Sequence, residues 1–362
     1  MLKDSLMTDD FYLWLSRIQG LSAKKANMLL NVFTPEELWR ADFLALMQIE
    51  GLSEQVIANM LELRDSSLIS AYKDMLDKHD ISYVTFNSLD YPTLLKTIHD
   101  PPMCLYYKGT LPKNTYCVGV VGSRRSSEYG QTQARRFAHD LAERGITIVS
   151  GLAKGIDSFA HRGAIEAGGL TIAVLGSGVD ICYPAENRQL YCNIIKNGCV
   201  LSEFPPGTQP VAMNFPIRNR VISGLSEAIV VVEAALRSGT SITVNMALEQ
   251  GREVLAVPGN VTSKLSSGTN DIIRKGSGAL AFDYTDVLNA IGIEDSPPPK
   301  KTKISLSTDE KKIFDKLTRE PIGVEEIACN AAMSVIETIN ICTILEIKGY
   351  IIKMPGQRFA VK

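Results

Sequence analysis

A chain of 362 residues is longer than one hydrophobic core usually organises, which points to about two or three domains. Its 45% hydrophobic and 22% charged content is ordinary for a globular protein and argues against long disorder. A formal net charge of −2 excludes a strongly basic field, so any anion site must come from local clustering.

The seven cysteines include no C-x-x-C pair and lie mostly in apolar stretches. That favours a reducing cytoplasm over a disulfide framework or a zinc site. The opening MLKDSLMTDD is too acidic for a signal peptide, and no apolar run approaches a membrane span. The expectation is a cytoplasmic chain with no membrane partner.

Residues 1–80 carry a short repeat, IQGLSAKKANMLL from Ile18 and IEGLSEQVIANML from Ile49. Each sets Gly-Leu-Ser before an amphipathic helix, the helix-hairpin-helix pattern. Such turns can aim backbone N–H groups at phosphates without reading sequence. They can equally serve only to pack a helical domain, and paired lysines (Lys24, Lys25) occur in the first repeat alone. Residues 81–111 read as a connector, with ISYVTF strand-like and LDYP and DPPM as turn signals.

The central domain, 112–293, opens on CVGVVGSRRSSEY, from Cys117 to Tyr129. Val118 to Gly122 predicts a buried parallel strand, and a helix follows from Gln131 to Arg144. Gly122, Ser123, Arg124 and Arg125 therefore stand where a strand breaks into a helix, a place suited to a phosphate. An ordinary turn with solvent-exposed arginines fits the same residues, since GxGxxG is absent. Further strands are predicted at 146–151, 171–176, 200–204, 228–234 and 254–259, mostly separated by helical segments. The pattern predicts an α/β fold, an extended Rossmann-like, doubly wound, mainly parallel sheet covered on both faces. Ligands of such sheets lie off the carboxyl ends of the strands.

Those ends carry the unusual residues. They include Gly151 and Lys154, then Gly178, then Ser238, Gly239 and Thr240, and finally Gly259 and Asn260. Within FPIRNRVISGLS (215–226), Arg218 and Arg220 flank Asn219 and offer two guanidinium forks for phosphate oxygens. The competing expectation is an ion-pair knot with Glu203 or Glu227. Phe204 and Phe215 suit base stacking, although aromatics near sheet edges are more often core. Asp157 and His161, four apart, make either an acid–base pair or a helix-start aspartate and a packed histidine. Glu203 and Glu233 end strands, but no catalytic triad order, metal-ligand spacing or Walker A loop accompanies them. No catalytic residue, metal or cofactor is assigned.

SPPPKKTK places a linker over 294–306. Residues 307–362 predict three helices and a β-hairpin, a winged-helix domain. Its third helix, Ser334 to Lys348, is apolar and poorly equipped for a major groove, which favours a protein-contact or regulatory role.

The ordered blocks VGVVGSRRSSEYG, SGLAKGIDSFAHRGAIEAGG, TIAVLGSGVDICYPAEN, FPIRNRVISGLS and GTNDIIRKGSGAL resemble the DprA/Smf family of bacterial DNA-processing proteins over nearly the whole chain. The resemblance implies a helical SAM-like or helix-hairpin-helix domain, an extended Rossmann domain and a winged-helix domain. It implies single-stranded DNA binding without sequence preference, protection of incoming DNA in natural transformation, loading of the RecA recombinase, and a homodimer. The family's GSR motif falls on Gly122, Ser123 and Arg124, and its basic pocket on Lys154, Arg218 and Arg220. The loops of Gly151, Gly178 and Gly239 would let the backbone approach phosphates. An alternative is a nucleoside-monophosphate phosphoribohydrolase on a related Rossmann fold, which VVEAALRSGTSITVNMALEQGR resembles. The PGGxGTxxE pattern of those enzymes is broken here by Arg237-Ser238.

Overall fold

Short helices come first: α1 Thr8–Ser16, α2 Ala23–Leu30, α3 Pro35–Arg40, α4 Phe43–Met47, α5 Glu54–Glu62 and α6 Ser66–Lys78. The two Gly-Leu-Ser repeats enter α2 and α5. Gly20 and Gly51 turn the chain at φ of 84° and 86°. Ser22 and Ser53 then cap the helices, accepting from the N–H of Lys25 at 3.3 Å and of Val56 at 3.4 Å. Asn59 donates to the Gln19 carbonyl at 3.0 Å and joins the second repeat to the first turn. Leu13, Trp14, Leu38, Ile57 and Met60 fill the core beneath. The computed structural model describes residues 6–113, 115–236, 238–295, 307–318, 321–347 and 350–361.

The main sheet follows. Its first half contains β1 Ser82–Thr85, α7 Thr93–Lys96, β2 Cys104–Gly109, β3 Cys117–Val121, α8 Glu128–Glu143, β4 Thr147–Ser150 and α9 Ile156–Glu166. Then come β5 Thr171–Val174, α10 Arg188–Lys196, β6 Gly198–Ser202, α11 Asn214–Leu225 and β7 Ala228–Val231. The last part is α12 Gly239–Glu249, β8 Glu253–Ala256, α13 Ser267–Arg274, β9 Ala279–Leu280 and α14 Tyr284–Ala290. Among the described residues the sheet has nine strands, in the order β1-β2-β6-β5-β4-β3-β7-β8-β9. From β6 to β9 every neighbouring pair is parallel, while β2 on β6 and β1 on β2 are antiparallel. This is the expected extended Rossmann-like sheet. The segment 81–111, read as a connector, instead supplies β1 and β2, so the helices and the sheet form one compact unit, Met1–Pro299.

Successive strands run outward from β3 to β6, and the chain then returns to lay β7 on the other side of β3. The switch point therefore lies between β3 and β7. One face of the sheet is covered by α7, α11 and α12, through Leu95, Val221, Ile222 and Val244. The other is covered by α8, α9 and α14, through Phe137, Leu141, Ala160, Ala164 and Val287. Buried strands such as β3 and β7, apolar at every position, follow from that double cover.

Residues Lys300–Lys362 form a second compact unit. It contains α15 Thr308–Phe314, β10 Ile322–Gly323, α16 Val324–Ala331, α17 Val335–Ile347, β11 Ile351–Met354 and β12 Arg358–Val361. Its strands run β10-β12-β11, all antiparallel, the wing of a winged helix. Ser307 with Glu310 caps α15 by a reciprocal pair of hydrogen bonds. The proposed linker lies largely outside the described residues, as do Arg237 and Lys348. Among the described residues no single helix is long and apolar enough to cross a membrane.

The crossing of α8 and α9 rests on Gly163. A Cβ there would lie 2.2 Å from the Arg135 carbonyl oxygen, inside helix backbone that cannot swing away. Gly163→Ala is expected to destabilise the chain by about 1–3 kcal/mol in urea unfolding, as overpacked core positions do. A wild-type midpoint would show that the two helices separate freely.

Candidate functional site

The loop after β3 is fixed by its backbone. The N–H of Ser123 donates to the Glu233 carbonyl at 2.7 Å, and the Ser123 carbonyl accepts from Ile156 N at 3.2 Å. Gly155 begins α9 at φ 77°, with room for no Cβ beside the Ser123 carbonyl, which would lie 2.4 Å away. The Ser123 hydroxyl accepts from Arg125 N at 3.2 Å and donates to the Arg125 carbonyl at 2.9 Å. This tight loop presents the Arg124 and Arg125 side chains outward. Both are exposed, and among the described residues neither is in an ion pair.

A cavity of about 520 Å³ opens at the switch point. Gly122, Ser123, Arg124 and Arg125 line it after β3, and Ser238, Gly239 and Thr240 line it after β7. Phe215, Arg218 and Asn219 come from α11, and Asp157 from α9. The N-terminus of α12 faces this space, where the first N–H groups of a helix lack helical partners and favour an anion. Its N-cap, Ser238, makes no side-chain cap bond, and its hydroxyl is buried without a partner among the described residues. Arg124 lies over the Phe215 ring at 5.3 Å from its centroid.

Arg218 forms the cavity floor and is not free. Its Nη1 donates to the Gly151 carbonyl at 2.7 Å and to the Val174 carbonyl, and its Nε donates to Asn219 Oδ1 at 3.2 Å. Burial pushes its pKa down to about 10, the attraction of Asp157 working against this and the repulsion of Arg124 adding to it. It remains charged at neutral pH. Asp157 accepts from the N–H of Gly151 at 3.2 Å and of Ala153 at 3.3 Å, and burial pushes its carboxyl upward.

Several expected positions do not line the cavity. Arg220 pairs with Asp100 at 3.2 Å and with Glu203, so the ion-pair knot describes it and the phosphate fork does not. The reason is helical geometry. Residues 218 and 220 lie within α11, and two steps of about 100° point their side chains to opposite sides. Lys154, exposed, pairs with Glu186 at 2.6 Å. Gly151 lies under the Arg218 guanidinium, and Gly178 hydrogen-bonds Thr208 at 2.9 Å. Gly259 is tied to Asn270, at 3.1 Å and 3.0 Å, and does not line the cavity.

The carboxylates of the enzymatic alternative are engaged elsewhere. Glu233 accepts from Ser127 N at 2.9 Å and from the Ser127 hydroxyl at 2.5 Å, which fixes the cap of α8. It does not line the cavity. Among the described lining residues Asp157 is the single carboxylate, and two N–H groups already hold it, a poor donor set for a metal. His139, Asp140 and Glu143 bring three ligand-type atoms within 4.8 Å on α8, all half-exposed and none lining the cavity.

His161 is fully buried. Its Nδ1 meets the Thr171 hydroxyl at 2.7 Å, and that hydroxyl donates to the Ile148 carbonyl at 2.8 Å. The imidazole therefore donates from Nδ1, and the packed-histidine reading describes it. Tyr183 is a residue that the sequence alone does not single out. The residue is 46% exposed and its ring is 5.5 Å from that of Phe215, in a loop whose Tyr-Pro pair signals only a turn.

A doubly wound sheet with an anion-receptive cavity at its switch point, followed by a separate winged-helix unit, defines the class of this protein. Residues 82–292 match the family model of DNA recombination-mediator protein A, and residues 297–357 that of the DprA winged helix domain. The chain belongs to the DprA/Smf family. It is 31% identical to Protein Smf of Synechocystis, over 96% of this chain and 98% of that protein. It is 44% identical to DNA processing protein DprA of Streptococcus pneumoniae, over 59% and 76% respectively. The X-ray structure of the Streptococcus pneumoniae protein aligns with a TM-score of 0.67 at 34% identity, covering 79% of this chain and 99% of that one. A structure of DNA processing protein A from Helicobacter pylori, reported for its single-stranded DNA binding mode, aligns with a TM-score of 0.52 at 28% identity. It covers 58% of this chain and 95% of that one.

Burial holds the His161 pKa at about 3, below its ordinary 6.5. The unfolded chain takes up a proton below pH 6.5 and the folded chain does not, so stability falls by about 1.4 kcal/mol per pH unit toward pH 3. Asp157 and Glu203, both raised by burial, act in the opposite direction. The comparison of wild type with His161→Gln in urea melts isolates the imidazole. The variant should show a shallower loss of stability below pH 6.5, and parallel profiles would remove His161 as the cause.

Proposed function

We propose that the chain binds single-stranded DNA without sequence preference, gripping a backbone phosphate in the switch-point cavity. One observation carries this reading. Arg124, exposed and among the described residues in no ion pair, stands with Arg125 across from the first N–H groups of α12 and the Ser238 hydroxyl, which has no partner among the described residues. In this reading these groups hold the phosphate and leave the base edges unread, which is the basis for sequence independence. The contact set comprises Gly122, Ser123, Arg124, Arg125, Ser238, Gly239 and Thr240, with the Arg218 guanidinium and the neutral Asn219 amide as the floor. The single-strand binding reported for the Helicobacter pylori relative points the same way.

The family resemblance supplies the cellular setting of the proposal. The protein acts in the cytoplasm as a homodimer, protects incoming DNA in natural transformation and loads RecA recombinase onto it. It does so as a binding protein and not as an enzyme. The winged-helix unit fits a protein contact: α17 exposes Val335, Ile336 and Ile344, which offer nothing to a phosphate.

Arg124→Glu should weaken binding of oligo-dT, oligo-dA and mixed strands alike, by tenfold or more in a fluorescence-anisotropy titration. The slope of log affinity against log salt should flatten by roughly 0.7 for each phosphate that the variant no longer neutralises. Unchanged affinity in that variant would remove the cavity from the interface.

A further inference from the structure

Tyr183 sits in the loop between β5 and α10, outside the cavity and with 46% of its surface open. Isolated exposed aromatics are common and need no explanation. This one is not isolated. Its ring lies 5.5 Å from Phe215 at 39°, and the Arg124 guanidinium covers Phe215 at 5.3 Å. Guanidinium, half-buried ring and open ring thus follow one another from the cavity to the surface. The acids of the same loop are held: Asp180 accepts from Gly207 N at 2.9 Å and 3.0 Å, and Glu186 pairs with Lys154 at 2.6 Å. The open face of Tyr183 consequently offers an apolar π surface beside a phosphate-receptive site. Sequence-independent strands require such a surface, because every base has a face that stacks on it.

We propose that Tyr183 is a stacking platform for a nucleobase, adjoining the phosphate held at Arg124, and that it sets the course of the strand out of the cavity toward the β5–α10 loop. The proposal rests on the single-strand reading of the cavity and adds to it a base contact with no charge. The two terms are separable. A phosphate contact alters the salt slope, whereas stacking alters affinity at constant slope.

The test uses the full chain and labelled oligo-dT, with a strand of equal length carrying abasic sites. Tyr183→Ala should lower affinity for oligo-dT on the order of tenfold at unchanged salt slope, within the range that loss of one stacked base produces. Tyr183→Phe should bind like wild type. On the abasic strand, wild type and Tyr183→Ala should bind equally. Wild-type affinity of Tyr183→Ala for oligo-dT, alongside weak binding by Arg124→Glu, would overturn the platform alone. An equal loss on the abasic strand would also overturn it, by showing that the ring acts through the fold. Wild-type affinity in both variants would overturn the cavity reading beneath it.

Discussion

The buried guanidinium of Arg218 ties together the elements that make the cavity. It comes from α11 on one face of the sheet, and its Nη1 reaches carbonyls at the carboxyl ends of both β4 and β5. A cation so deeply enclosed is costly unless every donor finds an acceptor and a counter-charge stands near. The two carbonyls accept from Nη1 and Asn219 from Nε, and the neighbouring Asp157 supplies the counter-charge. Asp157 in turn fixes the loop from Gly151 to Ala153, so the same charges that are solvated by the backbone also shape it. Arg124 is pressed against this arrangement: the two guanidinium groups repel, and Phe215 lies within 6 Å of both. A fixed cation below, an exposed cation above and a helix N-terminus at the side together favour negative charge in this space.

How far the sequence foretold this depends on how local each feature is. The runs that became β3 to β8 are short, mostly apolar and β-branched, and most lie close to a glycine, so each could be read without its neighbours. The capping signals of α2, α5 and α15 were likewise local. By contrast, β2 pairs with β6 some hundred residues away, an antiparallel partnership that nothing in 81–111 announces. That is why a structural segment looked like a connector. The side-chain pairing of Arg220 with Asp100 and Glu203 is equally non-local, although the start of α11 could have exposed the problem. Once Arg218 and Arg220 share a helix, a two-residue spacing forbids a common direction. Glu233 gives the same lesson at a strand end, where a carboxylate suggestive of catalysis holds the cap of a neighbouring helix.

The net charge of −2 then becomes informative. Along the carboxyl edge of the sheet two of the expected cations are already matched: Lys154 by Glu186, and Arg220 by Asp100 and Glu203. Among the described cations that line the cavity, Arg124 and Arg125 are the exposed ones outside any ion pair, so the positive charge offered there is local. At physiological salt, fields decay over about 8 Å, so such a site acts at contact and steers little from a distance. Binding that is held locally gains most from contacts independent of charge and from several sites engaging one strand together. An open aromatic ring beside Phe215, outside the cavity, is the kind of group this charge distribution favours, since it would extend a grip on a strand without adding a charge that the rest of the surface would have to balance.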